Sequence, residues 1–356
     1  MIFKRLLFIY CLLFCLPATA FSYAPAEREE VISETLSNLK KASRPSPSPS
    51  TSPKTDYLSF GNRSLFPSRE TIIEKVLNEI EIKIGVQMGY LTGHTTYDFD
   101  HHVSELKFPL GNWMAGLDLG IASGSLSFNA GFWGSVTRAV TGSKMTDKDW
   151  LGDTLISSTE STAKADVIIY DASLRYDFYD KFLYRDFDYL LLKSSDRVKI
   201  GLIGGYRYER LDFDMYDLYD TINKSMSFNG QQVLTYKIEY FLPYLGMGVD
   251  VLRKNYGLSA NFKYVIFPKA EDLDNHLLRT LTFPGDYERT NTKSFMFGVS
   301  GFWNLNDNWR ASLGLDGVSL RIDGDTWEIG GDPAWNKDQF TDTSQLIFWS
   351  RMQYKF

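Results

Sequence analysis

Cysteine is nearly absent from this sequence. Its 356 residues include two cysteines, Cys11 and Cys15, and both lie within the first twenty residues. Those twenty residues have the pattern of a cleaved segment, described next, so the mature chain is expected to contain no cysteine. This absence excludes a disulfide-stabilised scaffold and excludes thiol chemistry.

A secretory signal accounts for the N-terminus. Lys4 and Arg5 precede an apolar run from Leu6 to Leu16, and Ala18-Thr19-Ala20 has the small residues of a cleavage site. The apolar run is too short to cross a bilayer as a helix. We therefore predict that residues 1–20 are a signal peptide and that the protein is exported.

Long uncharged apolar runs are also missing from the rest of the chain, which predicts no transmembrane helix. The formal net charge is −6 and becomes more negative when Lys4 and Arg5 are removed. An acidic exported chain is a poor candidate for nucleic-acid binding and a good one for cationic partners. Aromatic residues make up 15% of the chain, and a transmembrane barrel, whose strands alternate polar and apolar residues, fits that composition.

A change of composition divides the chain. Residues 21–78 include the stretch KKASRPSPSPSTSPK, which alternates proline with serine and predicts a disordered or extended linker. From residue 79 onward the pattern has period two. In IEIKIGVQMGY, apolar residues from Ile80 to Tyr90 alternate with polar residues and glycine over a span longer than most globular strands. The C-terminal SQLIFWSRMQYKF repeats the alternation and ends on Phe356, as outer-membrane barrels do.

The same alternation predicts an all-β fold, a ten-stranded antiparallel up-and-down transmembrane β-barrel over residues 79–356. Short connections alternate with long polar ones, as expected for periplasmic turns and external loops, and a soluble ten-stranded barrel or sandwich is the alternative. The predicted strands are 80–97, 102–121, 125–145, 164–178, 197–217, 231–252, 256–271, 290–304, 309–324 and 342–356. The predicted long connections are 146–163, 218–230, 272–289 and 325–341, with 179–196 irregular.

Two of these long connections, 146–163 and 272–289, carry acidic pairs. Both follow odd-numbered strands, so both lie at the external end of the predicted barrel. Residues at i and i+2 of an extended chain project to one face. The two connections could therefore direct four side chains into one cleft: Asp147, Asp149, Asp274 and His276.

Three interpretations of this cluster stay open on the residues alone. An imidazole oriented by a carboxylate is a general base for water, and two close carboxylates share a proton that one of them can donate. Three carboxylates and a histidine are also reasonable ligands for a divalent cation. The third interpretation is turn chemistry, because Asp, Asn and Gly are common in loops.

Several stretches resemble the omptins, outer-membrane proteases of Gram-negative bacteria. The stretches are KMTDKDWLGD, GLIGGYRYERLDF, YKIEYFLPYLGMGVDVLRKNYGLSANFKY and EDLDNH, in that order along the chain. The resemblance covers roughly Ile80 to Phe356 and leaves out the N-terminal extension. It implies a catalytic set in which a water lies between an Asp pair and an Asp–His pair, with neither a metal nor an acyl-enzyme. The residues that match this set are Asp147, Asp149, Asp274 and His276.

The resemblance also implies roles for other residues. Asp272 matches an acid of the pocket for a basic P1 residue, and its acidic partner falls near Tyr97, with Asp98 adjacent. Glu160 lies near a second acidic subsite. The substrate-binding candidates are therefore Asp272, Asp98 and Glu160.

Omptins need lipopolysaccharide as an activating lipid, and Tyr206 and Arg210 match two residues of that site. Glu239 stands where a basic residue is expected, and Tyr208 stands where an acidic one is. A glutamate in a phosphate-binding patch weakens phosphate binding, so we expect an altered or weaker lipid dependence. The resemblance implies no other cofactor.

Taken together, these observations predict a monomeric outer-membrane endopeptidase whose site faces the extracellular side and takes cationic peptides or proteins. The alternative is an omptin-fold adhesin or surface-interaction protein with weak or no proteolysis. A passive pore is disfavoured, because the resemblance implies a barrel filled with side chains.

Overall fold

The computed structural model describes residues 80–99, 103–140, 144–183, 196–277, 281–290, 294–327 and 336–356. Within these ranges, the side chains of residues 99, 276, 281–290, 326–327 and 336–339 are not described. The predicted signal peptide, 1–20, and the predicted extension, 21–78, lie outside the described residues.

The described chain forms one antiparallel sheet of thirteen strands. The strands are β1 (Glu81–Phe99), β2 (Ser104–Ser123), β3 (Leu126–Ser135), β4 (Met145–Leu151), β5 (Thr154–Phe182), β6 (Arg197–Asp220), β7 (Ser225–Leu252), β8 (Tyr256–Val265), β9 (Lys269–His276), β10 (Leu281–Thr290), β11 (Phe295–Asn304), β12 (Trp309–Trp327) and β13 (Asn336–Lys355).

The sheet closes on itself through ten positions, which confirms the predicted barrel. Hydrogen-bonded pairing runs β1–β2–β3–β5–β6–β7–β8–β11–β12–β13, and β13 pairs back to β1. The third, seventh and eighth predicted strands correspond to β3, β8 and β11, whereas β4, β9 and β10 lie mostly within the predicted connections 146–163 and 272–289. Between β8 and β9 the backbone of Phe267 has a φ of 51°, which interrupts the ladder there.

The two faces of the barrel have opposite polarity. Val86 is 60% exposed on the outer face of β1, whereas Gln87 next to it is 3% exposed on the inner face. An exposed apolar outside and a buried polar inside is the arrangement of a transmembrane barrel. We call the outward residues of this kind the apolar belt; they include Val86, Met88, Leu117, Leu202, Leu245, Met247, Phe262, Val299, Leu313 and Phe348. No helix in the described part of the chain is long and apolar enough to cross a membrane.

An aromatic girdle borders the apolar belt on the side away from the chain termini. Ring contacts run from Tyr90 to Trp113 at 5.3 Å and from Tyr208 to Phe241 at 5.5 Å. Tyr170 joins the girdle through Tyr208, at 6.1 Å between centroids. Such rings mark the interface between hydrocarbon and headgroups. Because strands continue beyond it, the barrel extends outside the membrane at this end, which we call the rim.

The barrel interior is filled with polar and charged side chains. The Tyr240 hydroxyl hydrogen-bonds the hydroxyls of Thr343 at 2.7 Å and Thr95 at 3.0 Å across the barrel. Nearby, Arg207 donates to Glu209 at 2.7 Å, and Glu209 accepts from Gln345. Most of these hydrogen bonds cross the lumen, and together they pair most of the buried polar atoms of these residues. A cavity of about 730 Å³ lies toward the end where the chain termini meet.

The predicted long loops are one point where the structure differs from the prediction. Most of 146–163 belongs to the β4–β5 hairpin, most of 218–230 to the β6–β7 hairpin, and most of 272–289 to β9 and β10. Strands outside a membrane do not need an apolar outer face, so their sequences are as polar as those of loops and were predicted as loops. The candidate catalytic residues lie on two of these strands, β4 and β9.

Candidate active site

One acidic pair lies on β4, between β2 and β5. Asp147 pairs with Leu106 on β2 and Thr159 on β5. Alternation places Asp147 and Asp149 on the same face as Met145, which is 2% exposed in the core. The two carboxylates therefore face the interior of the barrel at its rim.

A second acidic pair lies on β9. Asp272 and Asp274 are 7% and 2% exposed, and they lie opposite Ile238 and Tyr236 of β7, which belong to the core. Backbone pairing places His276 two residues further along β9, opposite Leu234 of β7. The His276 side chain lies outside the described residues.

An aromatic cluster connects the two acidic pairs across the barrel. Phe108 of β2 stacks on Tyr236 of β7, with ring centroids 4.4 Å apart and an interplanar angle of 10°. Phe213 packs on Phe108 at 4.9 Å, and Tyr97 meets the edge of Tyr236 at 5.7 Å. Tyr236 of β7 lies opposite Asp274 of β9. Phe108 lies two residues after Leu106, which is the β2 residue opposite Asp147. The aromatic cluster therefore forms a shared floor beside both pairs.

Tyr236 also contacts the predicted specificity residue. Its hydroxyl donates to Asp272 Oδ2 at 2.9 Å. Burial and the neighbouring Asp272 carboxylate raise the pKa of Tyr236 well above its usual value. The hydroxyl therefore stays protonated at neutral pH and fixes one oxygen of Asp272 as an acceptor.

The other predicted substrate-binding residues do not share this face. Tyr97 points toward Tyr236, so alternation turns Asp98 to the opposite face of β1, where it is 2% exposed. On β5, Glu160 follows Thr159, the partner of Asp147, so alternation turns Glu160 to the other face of the sheet. Glu160 forms an ion pair with Lys144 at 3.4 Å. Of the three candidates, Asp272 is the one placed beside the aromatic cluster.

Two hydroxyl groups beside the β4 acids escaped the sequence analysis. Thr159 Oγ1 and Ser161 Oγ are buried, and within the described part of the chain neither has a hydrogen-bond partner. Thr159 lies opposite Asp147 and Ser161 opposite Met145. The alternating serines and threonines of TLISSTESTAK are the signal that could have identified them, once this segment was read as a strand.

The predicted lipid residues lie on the outer face of β6. Tyr206 is half-buried, so part of its side chain is exposed on this outer face. Arg210 donates to Asp212 Oδ2 at 2.7 Å, and Tyr208 donates to Glu239 Oε1 at 2.5 Å. The contact between Arg210 and Asp212 was not predicted from the sequence.

A divalent cation site gains no support from the described side chains. Among them, no three His, Cys, Asp or Glu groups lie close enough to hold a metal ion. This set does not include the His276 imidazole.

Comparison with known proteins points to one family. The Omptin family model matches residues 78–307. The chain is 25% identical over 251 residues to the plasminogen activator of Yersinia pestis, covering 65% of this chain and 73% of that protein. It is 24% identical over 243 residues to the outer membrane protease OmpP of Escherichia coli, covering 62% of this chain and 71% of that protein.

A solved structure agrees with this assignment at the level of the fold. The crystal structure of the outer membrane protease OmpT from Escherichia coli aligns with a TM-score of 0.61 at 14% identity. The alignment covers 78% of this chain and 97% of that one. The likeness extends over nearly the whole of the solved barrel.

Proposed function

Because the chain belongs to the omptin family, we propose that it is an outer-membrane endopeptidase that cleaves exposed peptides or proteins at basic residues. The single observation that carries this proposal is the position of the two acidic pairs. Asp147 and Asp149 on β4, and Asp272 and Asp274 on β9, face the interior beside one aromatic cluster. They lie at the rim, so the site opens to the extracellular side when the termini are periplasmic.

The proposed reaction is direct attack of water on the scissile carbonyl. His276 takes a proton from the water as its oxygen bonds to the carbonyl carbon, and Asp274 orients the imidazole and stabilises its charged form. The imidazolium then returns the proton to the leaving amine as the C–N bond breaks. No bond forms between the enzyme and the substrate in this sequence.

Asp147 and Asp149 would act on the other side of the water. The pair would accept a hydrogen bond from the water and hold it against the scissile carbonyl carbon. Replacement of either residue by asparagine keeps the volume and removes a carboxylate that accepts this hydrogen bond.

Asp272 is the residue we assign to recognition of a basic side chain. It is nearly buried, and Tyr236 holds its carboxylate in place. A buried carboxylate rejects a neutral side chain, because its desolvation would then be uncompensated. Glu160 faces away from Asp147 and is partly exposed, so we assign it a secondary role in attracting cationic substrates. Asp98 is buried on the face of β1 opposite Tyr97, so we assign it no direct contact with the substrate.

Peptide cleavage tests this function. The purified barrel in detergent is given a quenched peptide with an Arg-Arg bond and a matched peptide with Gln-Gln, both with chelator present. We expect cleavage between or beside the arginines, no cleavage of the Gln-Gln peptide, and loss of activity in Asp149→Asn and His276→Ala. A matched control is Glu271→Gln on the same strand as Asp274, which should cleave normally.

Two results would reject the proposal. Activity that chelator removes and added metal restores would indicate a metal-dependent site. A folded barrel that cleaves no basic peptide would favour the non-proteolytic surface protein.

A further inference from the structure

Four charged residues form an alternating square on the outer face of β6 and β7. Arg210 and Asp212 lie on β6, and Lys237 and Glu239 lie on β7. The register places Arg210 opposite Glu239, and Asp212 opposite Lys237. Each charge therefore has an opposite charge along its own strand and another across the ladder. We call these four residues the charged quartet.

The quartet faces outward, at the edge of the membrane. Its neighbours along the two strands, Leu211 and Ile238, are fully buried in the core, so alternation turns the quartet away from the interior. On the membrane side it adjoins Tyr208 and Phe241 of the aromatic girdle. This is the level at which lipid headgroups meet a barrel.

The quartet is bonded internally. Arg210 Nε donates to Asp212 Oδ2 at 2.7 Å, and Lys237 Nζ lies 2.9 Å from Glu239 Oε2. Tyr208 donates to the other oxygen, Glu239 Oε1, at 2.5 Å. Burial acts to raise the pKa of Glu239, but the hydrogen bonds from Tyr208 and Lys237 outweigh it and lower that pKa. The carboxylate is therefore ionised at neutral pH.

The pattern continues onto the next strand. Glu239 lies opposite Glu271 on β9, and Glu271 forms an ion pair with Lys269 at 3.2 Å. Like charges opposite each other are unfavourable unless each has its own counter-ion. Lys237 and Lys269 supply those counter-ions, so the wall keeps both signs in balance.

This arrangement does not fit the phosphorylated lipid that the family resemblance implies. A phosphate binds best to cations that are not already neutralised, because its hydrogen bonds to Arg and Lys are charge-assisted. Here a phosphate approaching Arg210 or Lys237 would lie close to the carboxylates of Asp212 and Glu239, which already pair with those cations. Repulsion between like charges disfavours such a complex.

We propose that the charged quartet is a self-neutralised surface that fits zwitterionic lipid headgroups, and that the barrel binds no lipopolysaccharide there. Glu239 and Asp212 neutralise the cations that lipid phosphates would otherwise contact. The proposal concerns lipid binding alone, so it is independent of whether the barrel is a protease.

Lipid titration tests this proposal. The barrel is refolded in zwitterionic detergent, and its melting temperature is followed as purified lipopolysaccharide is added. The variant Glu239→Gln releases Lys237 and removes the charge opposite Arg210. The control, Glu105→Gln, removes a carboxylate with similar exposure that pairs with Lys148 at 3.8 Å, away from the quartet.

We expect lipopolysaccharide to leave the melting temperature of the wild type and of Glu105→Gln unchanged. Glu239→Gln should bind it at least about tenfold more tightly than the wild type, since it frees Lys237 for a charge-assisted contact with a phosphate. Asp212→Asn, which releases Arg210, provides a second variant if Glu239→Gln fails to fold. Tight binding by the wild type overturns the proposal, as does the failure of both folded variants to bind more tightly.

Discussion

Phe108 of β2 stacks on Tyr236 of β7 across the interior of the barrel, with ring centroids 4.4 Å apart. Three ring positions lie between these strands on one route round the barrel and five on the other, so the contact joins walls that are far apart in the sheet. It also lies between the acidic pairs of β4 and β9. The stack therefore sets the distance between the two halves of the proposed site.

Removal of the Phe108 ring should destabilise the barrel. Phe108 is fully buried, and deletion of a buried phenyl group leaves a cavity that costs about 3–5 kcal/mol. Phe108→Ala should lower the urea midpoint of unfolding in detergent by a corresponding amount. The control is Phe228→Ala, because Phe228 is 44% exposed at the rim and its loss should change stability by about 0.5 kcal/mol or less. Equal midpoints for the two variants would show that the stack does not stabilise the barrel.

Tyr236→Phe should weaken recognition of basic substrates and leave the chemical step largely intact. The change removes the hydroxyl that donates to Asp272 Oδ2 at 2.9 Å and keeps the ring in its stack. One hydrogen bond of this kind is worth about 0.5–1.5 kcal/mol, so KM for an Arg-Arg peptide should rise about two- to tenfold with a small change in kcat.

The matched control for this prediction is Tyr244→Phe. Tyr244 donates to Asp171 at 2.7 Å on the side of the barrel toward the termini, away from the acidic pairs. Its loss should leave KM unchanged. A normal KM in Tyr236→Phe, or a fall in kcat without a change in KM, would argue against our assignment of Asp272 to specificity.

Glu81 should make the barrel sensitive to acid. It precedes the apolar belt on β1 and forms ion pairs with Lys83 and Lys355, which joins the first strand to the last. Burial acts to raise its pKa, but hydrogen bonds from Lys355 and Lys83 outweigh that effect and lower the pKa from 4.5 to about 2. A carboxylate with a lowered folded pKa contributes stability above its unfolded pKa, and that contribution is lost as the pH falls through the folded value.

The pH window is therefore between about 4.5 and about 2. Glu81→Gln should be less stable than the wild type at pH 7, and the difference should shrink as the pH approaches 2. Urea unfolding at a series of pH values measures this. A difference that stays constant between pH 7 and pH 2 would mean that the ionisation of Glu81 does not contribute.

The strands within the membrane could be predicted from the sequence because the bilayer demands a strict alternation. Ile84, Val86 and Met88 must be apolar to face lipid, and Gln87 is polar because it faces the lumen. All ten positions of the ring were found in this way. The rim strands were not, since β5 begins at Thr154 with a segment whose two faces are both mostly polar.

The candidate site could also be predicted only in part. Asp147, Asp149, Asp274 and His276 were predicted as a group because i, i+2 spacing fixes the face of an extended chain. The stack of Phe108 on Tyr236 could not be predicted, because the two residues lie 128 positions apart in the sequence and no local pattern encodes contact across a barrel. The charged quartet was visible in part, as alternating charges in RLD and KIE, but its register required the structure.

The most direct test of the proposed mechanism compares two single variants with the double variant. Hydrolysis of an Arg-Arg peptide is measured for the wild type, Asp147→Asn, Asp274→Asn and Asp147→Asn/Asp274→Asn, with chelator present and the fold of each variant verified. Groups that act on one water behave as a unit, so each single variant should lose about 100-fold or more and the double variant should lose little beyond that. Wild-type activity in either single variant, or losses that multiply in the double variant, would contradict a shared water between the two pairs.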